Sequence, residues 1–464
     1  MTESTPPADA PPGTGRLNVA TRLGYGLGDF GFVAAWQGAA LFLLYFYTDV
    51  LHLSPWMAGA IYLAGMVWDA ISDPLIASWT ERHAAQRGRY STIMRWAALP
   101  VGLSYLVMFS IPTGGTLLTA AAALLSHLVF RTAYTCASMP YNTLPARLTG
   151  DSDERSALSA LRVIGAALGG LTVAIATPLL VQAAAEAGEA AGYRLAAVAT
   201  GALAATILII SSLAIREPRI MRSVSPSANV LRDLRELWRF TVRNGPLQRL
   251  LTLMLLATIG FALFTQSQLY FLQHVLQQPA LTAPVLAGPA LAMIVTAPLW
   301  MMLAARTSKR ATLMAGLLVA AAGYVLMGFA PAASPGLALL SVAVIGTGSA
   351  AIPVMFWSMV PDVIDHGQLQ TGLRVEARTF GLTTFVQKCA AGIAALVAGG
   401  LLALSGYAPD IAQPSESLGT ITALVSWLPA AFMLAMVAVV RGYPVSREHH
   451  SEIIEQLGRK RGAE

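Results

Sequence analysis

Residues 313–330 read LMAGLLVAAAGYVLMGFA, a stretch without one charged side chain. An α-helix rises 1.5 Å per residue, so about 20 such residues cross the roughly 30 Å hydrocarbon core of a bilayer. ITALVSWLPAAFMLAMVAVV at 421–440 has the same character. Around these segments the chain of 464 residues is 55% hydrophobic and only 12% charged, too few charges to cover a soluble surface of that size. It reads as an all-α polytopic membrane protein.

Twelve spans are expected, at 22–49, 55–80, 92–112, 116–143, 156–183, 191–214, 247–275, 281–305, 311–331, 335–362, 377–405 and 418–441. Orientation follows from alternate connections. One set, including ERHAAQRGRYSTIMR, ARTSKR and GRKRGAE, collects the basic residues; in the other Arg194 is the only Arg or Lys. By the positive-inside rule both termini are cytoplasmic. The net charge of +6 is thereby accounted for by loop bias and does not point to nucleic acid. Cys136 and Cys389 lie in apolar segments, which argues against a disulfide framework. The start, MTESTPPADAPPGTG, is polar and Pro-rich and reads as a disordered tail rather than a signal peptide.

The connection 217–244 is long, basic and polar, and divides the spans six and six. A short basic turn follows the second helix of each half, ASWTERHAAQRGRYSTIM in one and MLAARTSKRATLM in the other. The expected organisation is a tail (1–21), a six-helix half (22–216), a central cytoplasmic loop (217–244), a second half (245–441) and a tail with a short amphipathic helix (442–464) around Ile453, Ile454 and Leu457. Two halves joined in this way suggest the major facilitator fold, with solute near the midplane between them.

The chemistry begins at WDAISDP, 68–74. Asp69 and Asp73 are four residues apart and share a helix face, about 21 and 27 Å along span two. An acid at a helix centre costs about 2.5–3.5 kcal/mol to insert, and intramembrane acids are functional by default. Pro74 frees the carbonyl of Ala70 beside them. The set suits a hard cation or a transferable proton; the other reading is a structural ion pair with a neighbouring helix. Lys388 lies deep in span eleven and is a candidate partner of the two acids. Arg131 is the other deep base, with Asp29 as its candidate counter-charge, and Thr135 lies one turn beyond Arg131. PDVIDHGQLQTGLRVEAR brings Asp362, Asp365, Arg374, Glu376 and Arg378 to a cytoplasmic helix end, as a latch or as a solvated loop. Trp36 and Tyr141 are among the aromatics that suit a solute cavity. No metal-ligand cluster, GxSxG elbow or phosphate loop appears, so an enzyme is not expected.

YGLGDFG (25–31), YFYTDVLHLS (45–54), WDAISDP, RGRY (87–90), AYTCASMPYNTLPA (133–146), PDVIDHGQLQTGLRVEARTFG (361–381), FVQKCAAG (385–392) and the ending RGYPVSREHHSEIIEQL resemble, in order, the signatures of the glycoside–pentoside–hexuronide:cation symporters. This is a melibiose permease-like family of the major facilitator superfamily. The resemblance implies alternating access with a cation driving solute transport. It places the cation site on Asp69, Asp73 and Thr135, holding Na⁺ or H⁺ as the coupling ion with no other cofactor. Charge coupling falls on Lys388, a solute-binding arginine on Arg162, and a cytoplasmic gate on Asp362 and Asp365 with Arg374. The family's galactoside-binding acids are missing. The positions of the family's first-span Lys-Asp pair hold Phe32 and Val33, and the span-four acid and tryptophan positions hold Ser138 and Asn142. Arg162, Asp29, Arg131, Ser138, Asn142, Tyr141 and Trp36 are therefore the candidate solute-binding residues of a more apolar pocket.

The expected function is cation-coupled symport of a sugar or glycoside in a bacterial inner membrane. The expected partners are a small solute, the coupling cation and membrane lipids, without nucleic acid, and the expected state is a monomer. An amphiphile such as a lysolipid, or an uncoupled facilitator or exporter, is the alternative.

Overall fold

The computed structural model describes residues 17–87, 89–112, 114–149, 151–217, 230–330, 335–372, 376–442, 453 and 455–456. Among them the secondary structure is all helical, as it must be where no water can satisfy backbone groups. The helices are α1 (Val19–Tyr45), α2 (Pro55–Arg87), α3 (Tyr90–Met108), α4 (Thr116–Leu148), α5 (Ser152–Ala183), α6 (Glu189–Ala214), α7 (Val230–Val242) and α8 (Gly245–Tyr270). They continue with α9 (Thr282–Arg306), α10 (Lys309–Gly328), α11 (Pro335–Ser349), α12 (Ala351–Thr371), α13 (Glu376–Leu404), α14 (Ser415–Val425) and α15 (Trp427–Arg441). Eleven stretches among the described residues are long and apolar enough to cross a membrane, with α11–α12 and α14–α15 each forming one stretch. The expected third span is the exception. It corresponds to α3, which is long enough at 19 residues but less apolar, since it carries Arg95 and Pro100.

The chain groups into two compact units, Met1–Leu53 with Ala64–Pro226, and Ser54–Leu63 with Ser227–Glu464. In the first, α1 packs along α5 and α6, and α3 along α4 and α6. The α1–α5 pair is the most extensive, and small residues explain it. A Cβ on Gly165 would strike the carbonyl oxygen of Gly26, and one on Gly169 that of Phe30. The GAALG stretch at 165–169 is thus a small-xxx-small face that lets two backbones touch. Asn18 starts α1 by accepting the amide of Thr21 at 2.7 Å. Glu217, beyond the end of α6, starts α3 by accepting the amides of Tyr90 and Ser91 at 2.9 and 2.8 Å.

In the second unit α8 packs on α13 and α15, and α10 on α11 and α15. Ser308 and Asn244 cap α10 and α8 through the amides of Ala311 and Leu247, both at 3.1 Å. The first long helix of each unit ends alike. α1 passes into a π turn over Phe46–Val50, and α8 into one over Phe271–Leu276.

The connection expected as a loop over 217–244 contains α7. Its Phe240 is buried against Gly367 of α12, and its Glu236 accepts from Arg378 of α13 at 2.9 Å. Of the expected tail helix, Ile453 is buried, while Ile454 and Leu457 lie outside the described residues.

Candidate functional site

Two clusters form inside the first unit, both built around α4. In the first, α2 presents Asp69 and Asp73 on one face and α4 presents Thr135 to them. Thr135 Oγ1 stands 2.9 Å from Asp69 Oδ1 and 3.0 Å from Asp73 Oδ1. Asp69 is fully buried and Asp73 half-buried. A hydroxyl has one proton and donates to one oxygen at a time. One hydroxyl proton is thus shared between two carboxylate groups, an oxygen cluster that a proton or a cation would suit. Pro74 sits inside α2 without interrupting it. One turn before Asp69, a Cβ on Gly65 would collide with the His127 ring, so glycine is what lets α2 and α4 close at this level. Among the described residues, no group of three or more His, Cys, Asp or Glu converges. The donor set is all oxygen, the kind that suits a hard cation.

The second cluster surrounds Arg162 of α5. Its Nε donates to Asp29 Oδ2 at 2.8 Å and its Nη2 to Asp29 Oδ1 at 3.2 Å, a two-pronged ion pair. Nη1 reaches the Tyr25 hydroxyl at 3.2 Å and Nη2 the Asn142 Oδ1 at 3.1 Å. The Tyr141 hydroxyl donates to the Tyr25 carbonyl at 2.7 Å, and the two rings stack at 4.7 Å. Arg162, Asp29, Tyr141 and Asn142, named separately from sequence, thus meet in one place. Tyr25 completes the set.

Arg131 corrects one expectation, because Asp29 is not its counter-charge. The glycine-lined α1–α5 contact brings Arg162 to Asp29 first. Arg131 instead donates from Nε to His127 Nε2 at 3.0 Å and lies 4.3 Å from the centre of the Trp36 ring. It is 1% exposed, and its Nη1 has no hydrogen-bond partner among the described residues. Ser138 is nearly buried, between the levels of Thr135 and Tyr141 on α4. Phe32 packs against Tyr134 and Tyr141 at 5.5 and 5.0 Å, so one of the two first-span positions that lack the family's charged pair is an aromatic contact.

The second unit holds the remaining candidates. Lys388 is half-buried on α13. Asp362 on α12 accepts from Lys309 Nζ at 2.7 Å, and the same ammonium reaches the Ser358 carbonyl at 2.8 Å. Lys309 was not singled out from sequence, although it belongs to the basic turn ARTSKR. Asp365 is half-buried on the same helix, and Arg374 lies outside the described residues.

The profile of a family described as MFS/sugar transport protein matches residues 24–447. The chain belongs to that family. It is 25% identical over 449 residues to the glucuronide carrier protein homolog of Escherichia coli (strain K12), covering 96% of this chain and 97% of the other. It is 23% identical over 447 residues to the inner membrane symporter YicJ of the same organism, covering 95% of each. Among solved structures, the nucleoside transporter NupG superposes with a TM-score of 0.61 at 12% identity, covering 90% of this chain and 98% of that one. That likeness shows the helical transporter fold. The family and these relatives are membrane transporters rather than enzymes.

Proposed function

We propose that the protein is a secondary active transporter that moves a sugar or glycoside together with Na⁺ or H⁺ by alternating access. The observation that carries this is the convergence of Asp69, Asp73 and Thr135 oxygens on one point inside the bundle. The two Oδ1 atoms are no more than about 6 Å apart, so two charged carboxylates repel by about 3 kcal/mol at an effective dielectric of 20. One bound monovalent cation or proton removes most of that repulsion. The state that holds the ion best becomes populated, and a solute that prefers the same state binds more tightly, by reciprocal coupling.

The solute site is the Arg162 cluster. Its guanidinium and the exposed Asn142 amide offer hydrogen bonds to hydroxyl or acidic groups, and the stacked, buried rings of Tyr25 and Tyr141 hold them in place. Phe32 among them favours a glycoside with an apolar portion over a bare sugar, and it keeps an amphiphile as the second reading. Lys388 is assigned to charge coupling, and Asp362 with Lys309, together with Asp365, to the cytoplasmic gate. The eleven apolar stretches and α3 make twelve spans in two six-helix halves, with both termini in the cytoplasm of a bacterial inner membrane. The unit boundary at Pro226 and the matched π-ended first helices support that layout.

The test is gradient-driven uptake and counterflow of radiolabelled glycosides in proteoliposomes bearing Asp69→Asn or Asp73→Asn. Both variants are expected to lose accumulation driven by a Na⁺ or H⁺ gradient. Undiminished accumulation in both overturns the proposal.

A further inference from the structure

Arg131 carries a full charge in the interior of the first unit, and a guanidinium keeps its proton even there. It is 1% exposed, its Nη1 has no hydrogen-bond partner, and no acid pairs with it among the described residues. Its immediate neighbours do not compensate the charge. Arg131 Nε always carries a hydrogen, so His127 Nε2, 3.0 Å away, is the acceptor and carries none. Trp36, with its ring centre 4.3 Å from the guanidinium, contributes only its π face. A charge buried in this way needs opposite charge at longer range.

The acid pair supplies it. Of the charges deep in α1, α2, α4 and α5, Asp29 and Arg162 neutralise each other, which leaves Asp69 and Asp73 against Arg131. Two ionised acids and one base leave a single negative charge. The levels also match. Gly65 lets α2 close on the His127 ring, and Asp69 lies one turn, about 6 Å, further along α2. Arg131, held at His127, is therefore about 10 Å from the oxygens of Asp69, Asp73 and Thr135. At an effective dielectric of 20, a positive charge at about 10 Å weakens the binding of a monovalent cation about fifteenfold. A divalent cation feels twice the energy, so its binding falls by the square of that factor, about two hundredfold. Without such a charge, two carboxylates and a hydroxyl suit Mg²⁺ or Ca²⁺ as well as a monovalent ion.

We propose that Arg131 sets the ion selectivity of the acid pair: its fixed charge leaves a place for one monovalent cation and turns divalent cations away. It acts at a distance and is not a ligand of the ion. His127, by accepting from Nε, holds the guanidinium one turn short of the carboxylates, where it repels an incoming ion without pairing with either acid. This role rests on the ion-site reading of Asp69, Asp73 and Thr135, and the two fail on different measurements.

The test is thermal unfolding of the full chain in a neutral, sugar-free detergent, with Na⁺, protons and Ca²⁺ varied one at a time. The parent protein is expected to gain stability from Na⁺ or protons and none from Ca²⁺. Arg131→Met, with Arg131→Gln as a second neutral variant, is expected to gain a Ca²⁺-dependent rise, its affinity for Ca²⁺ relative to the monovalent ion increasing at least tenfold. Arg131→Lys keeps the charge and is expected to match the parent. Adding Asp69→Asn to Arg131→Met is expected to abolish the Ca²⁺ effect. A parent protein that Ca²⁺ stabilises as strongly as Na⁺ overturns the proposal without any variant. So do neutral variants that unfold earlier but gain nothing from Ca²⁺, a lysine variant that gains as much as they do, or a Ca²⁺ effect that survives Asp69→Asn. A parent that neither Na⁺ nor protons stabilise removes the ion-site reading itself, and this role with it.

Discussion

Thr135→Val removes one oxygen and keeps the shape of the side chain, so it isolates what the hydroxyl contributes to the acid pair. A hydrogen bond to a charged group contributes about 1.5–3 kcal/mol, which corresponds to roughly a ten- to hundredfold change in ion affinity. Only one such bond is lost, because the hydroxyl donates once, although two carboxylate oxygens lie within 3.0 Å of it. Ion binding can be followed without knowing the solute, through the rise in unfolding temperature that Na⁺ produces at fixed pH, or protons at fixed Na⁺. At one hundred times its dissociation constant an ion stabilises the native state by about 2.7 kcal/mol. A site weakened a hundredfold gives about 0.4 kcal/mol at the same concentration. Thr135→Val should therefore lose about half of the ion-dependent shift or more, and Thr135→Ser should keep it. A valine variant whose ion-dependent shift equals that of the parent protein refutes the reasoning, since the hydroxyl would then not be part of the ion's coordination.

Two further outcomes follow from ion pairs and caps. Asp29→Asn or Arg162→Gln alone leaves an unmatched charge inside the first unit and should destabilise it by about 3 kcal/mol, the low end for buried pairs, because about a third of the Arg162 side chain remains exposed. The double variant should cost less than the sum of the two single ones, which a double-mutant cycle of thermal unfolding measures directly. Glu217→Ala should release the start of α3 at a cost of about 2 kcal/mol. It is read as faster hydrogen exchange at the Tyr90 and Ser91 amides, with Glu217→Gln intermediate because one acceptor remains.

The membrane class was legible because hydrocarbon thickness sets a length that apolar runs either meet or miss. α3 shows the limit of that signal. Arg95 and Pro100 lower its apolarity, and only its place among α4 and α6 identifies it as part of the bundle. The pairing of Asp69 with Asp73 was readable because both lie on one helix, where spacing dictates proximity. Pairings between helices were not readable in the same way. Asp29 and Arg162 are separated by 133 residues, and their meeting depends on how closely α1 approaches α5. The GxxxG spacing at 165–169 was the available clue, since it marks where two backbones can touch. α7 was hidden by its charge. Arg232, Asp233, Arg235, Glu236 and Arg239 read as a polar connection, while Phe240, which docks the helix, is one residue among them. Lys309 was missed because positive residues in a short loop were credited to membrane orientation, which leaves no reason to seek a specific acid for one of them.

α4 carries Thr135 at the acid pair and, two turns on, Tyr141 and Asn142 at the arginine cluster, with Ser138 between them and Arg131 one turn before. On the proposed reading, ion contacts and solute contacts are notches on a single rod. A rotation or slide of that rod that suits a new cargo also displaces a ligand of the driving ion. In an evolving lineage, cargo preference and ion preference are then inherited together, and substitutions that retune one should be accompanied by compensating changes on α2, where the other side of the ion site resides.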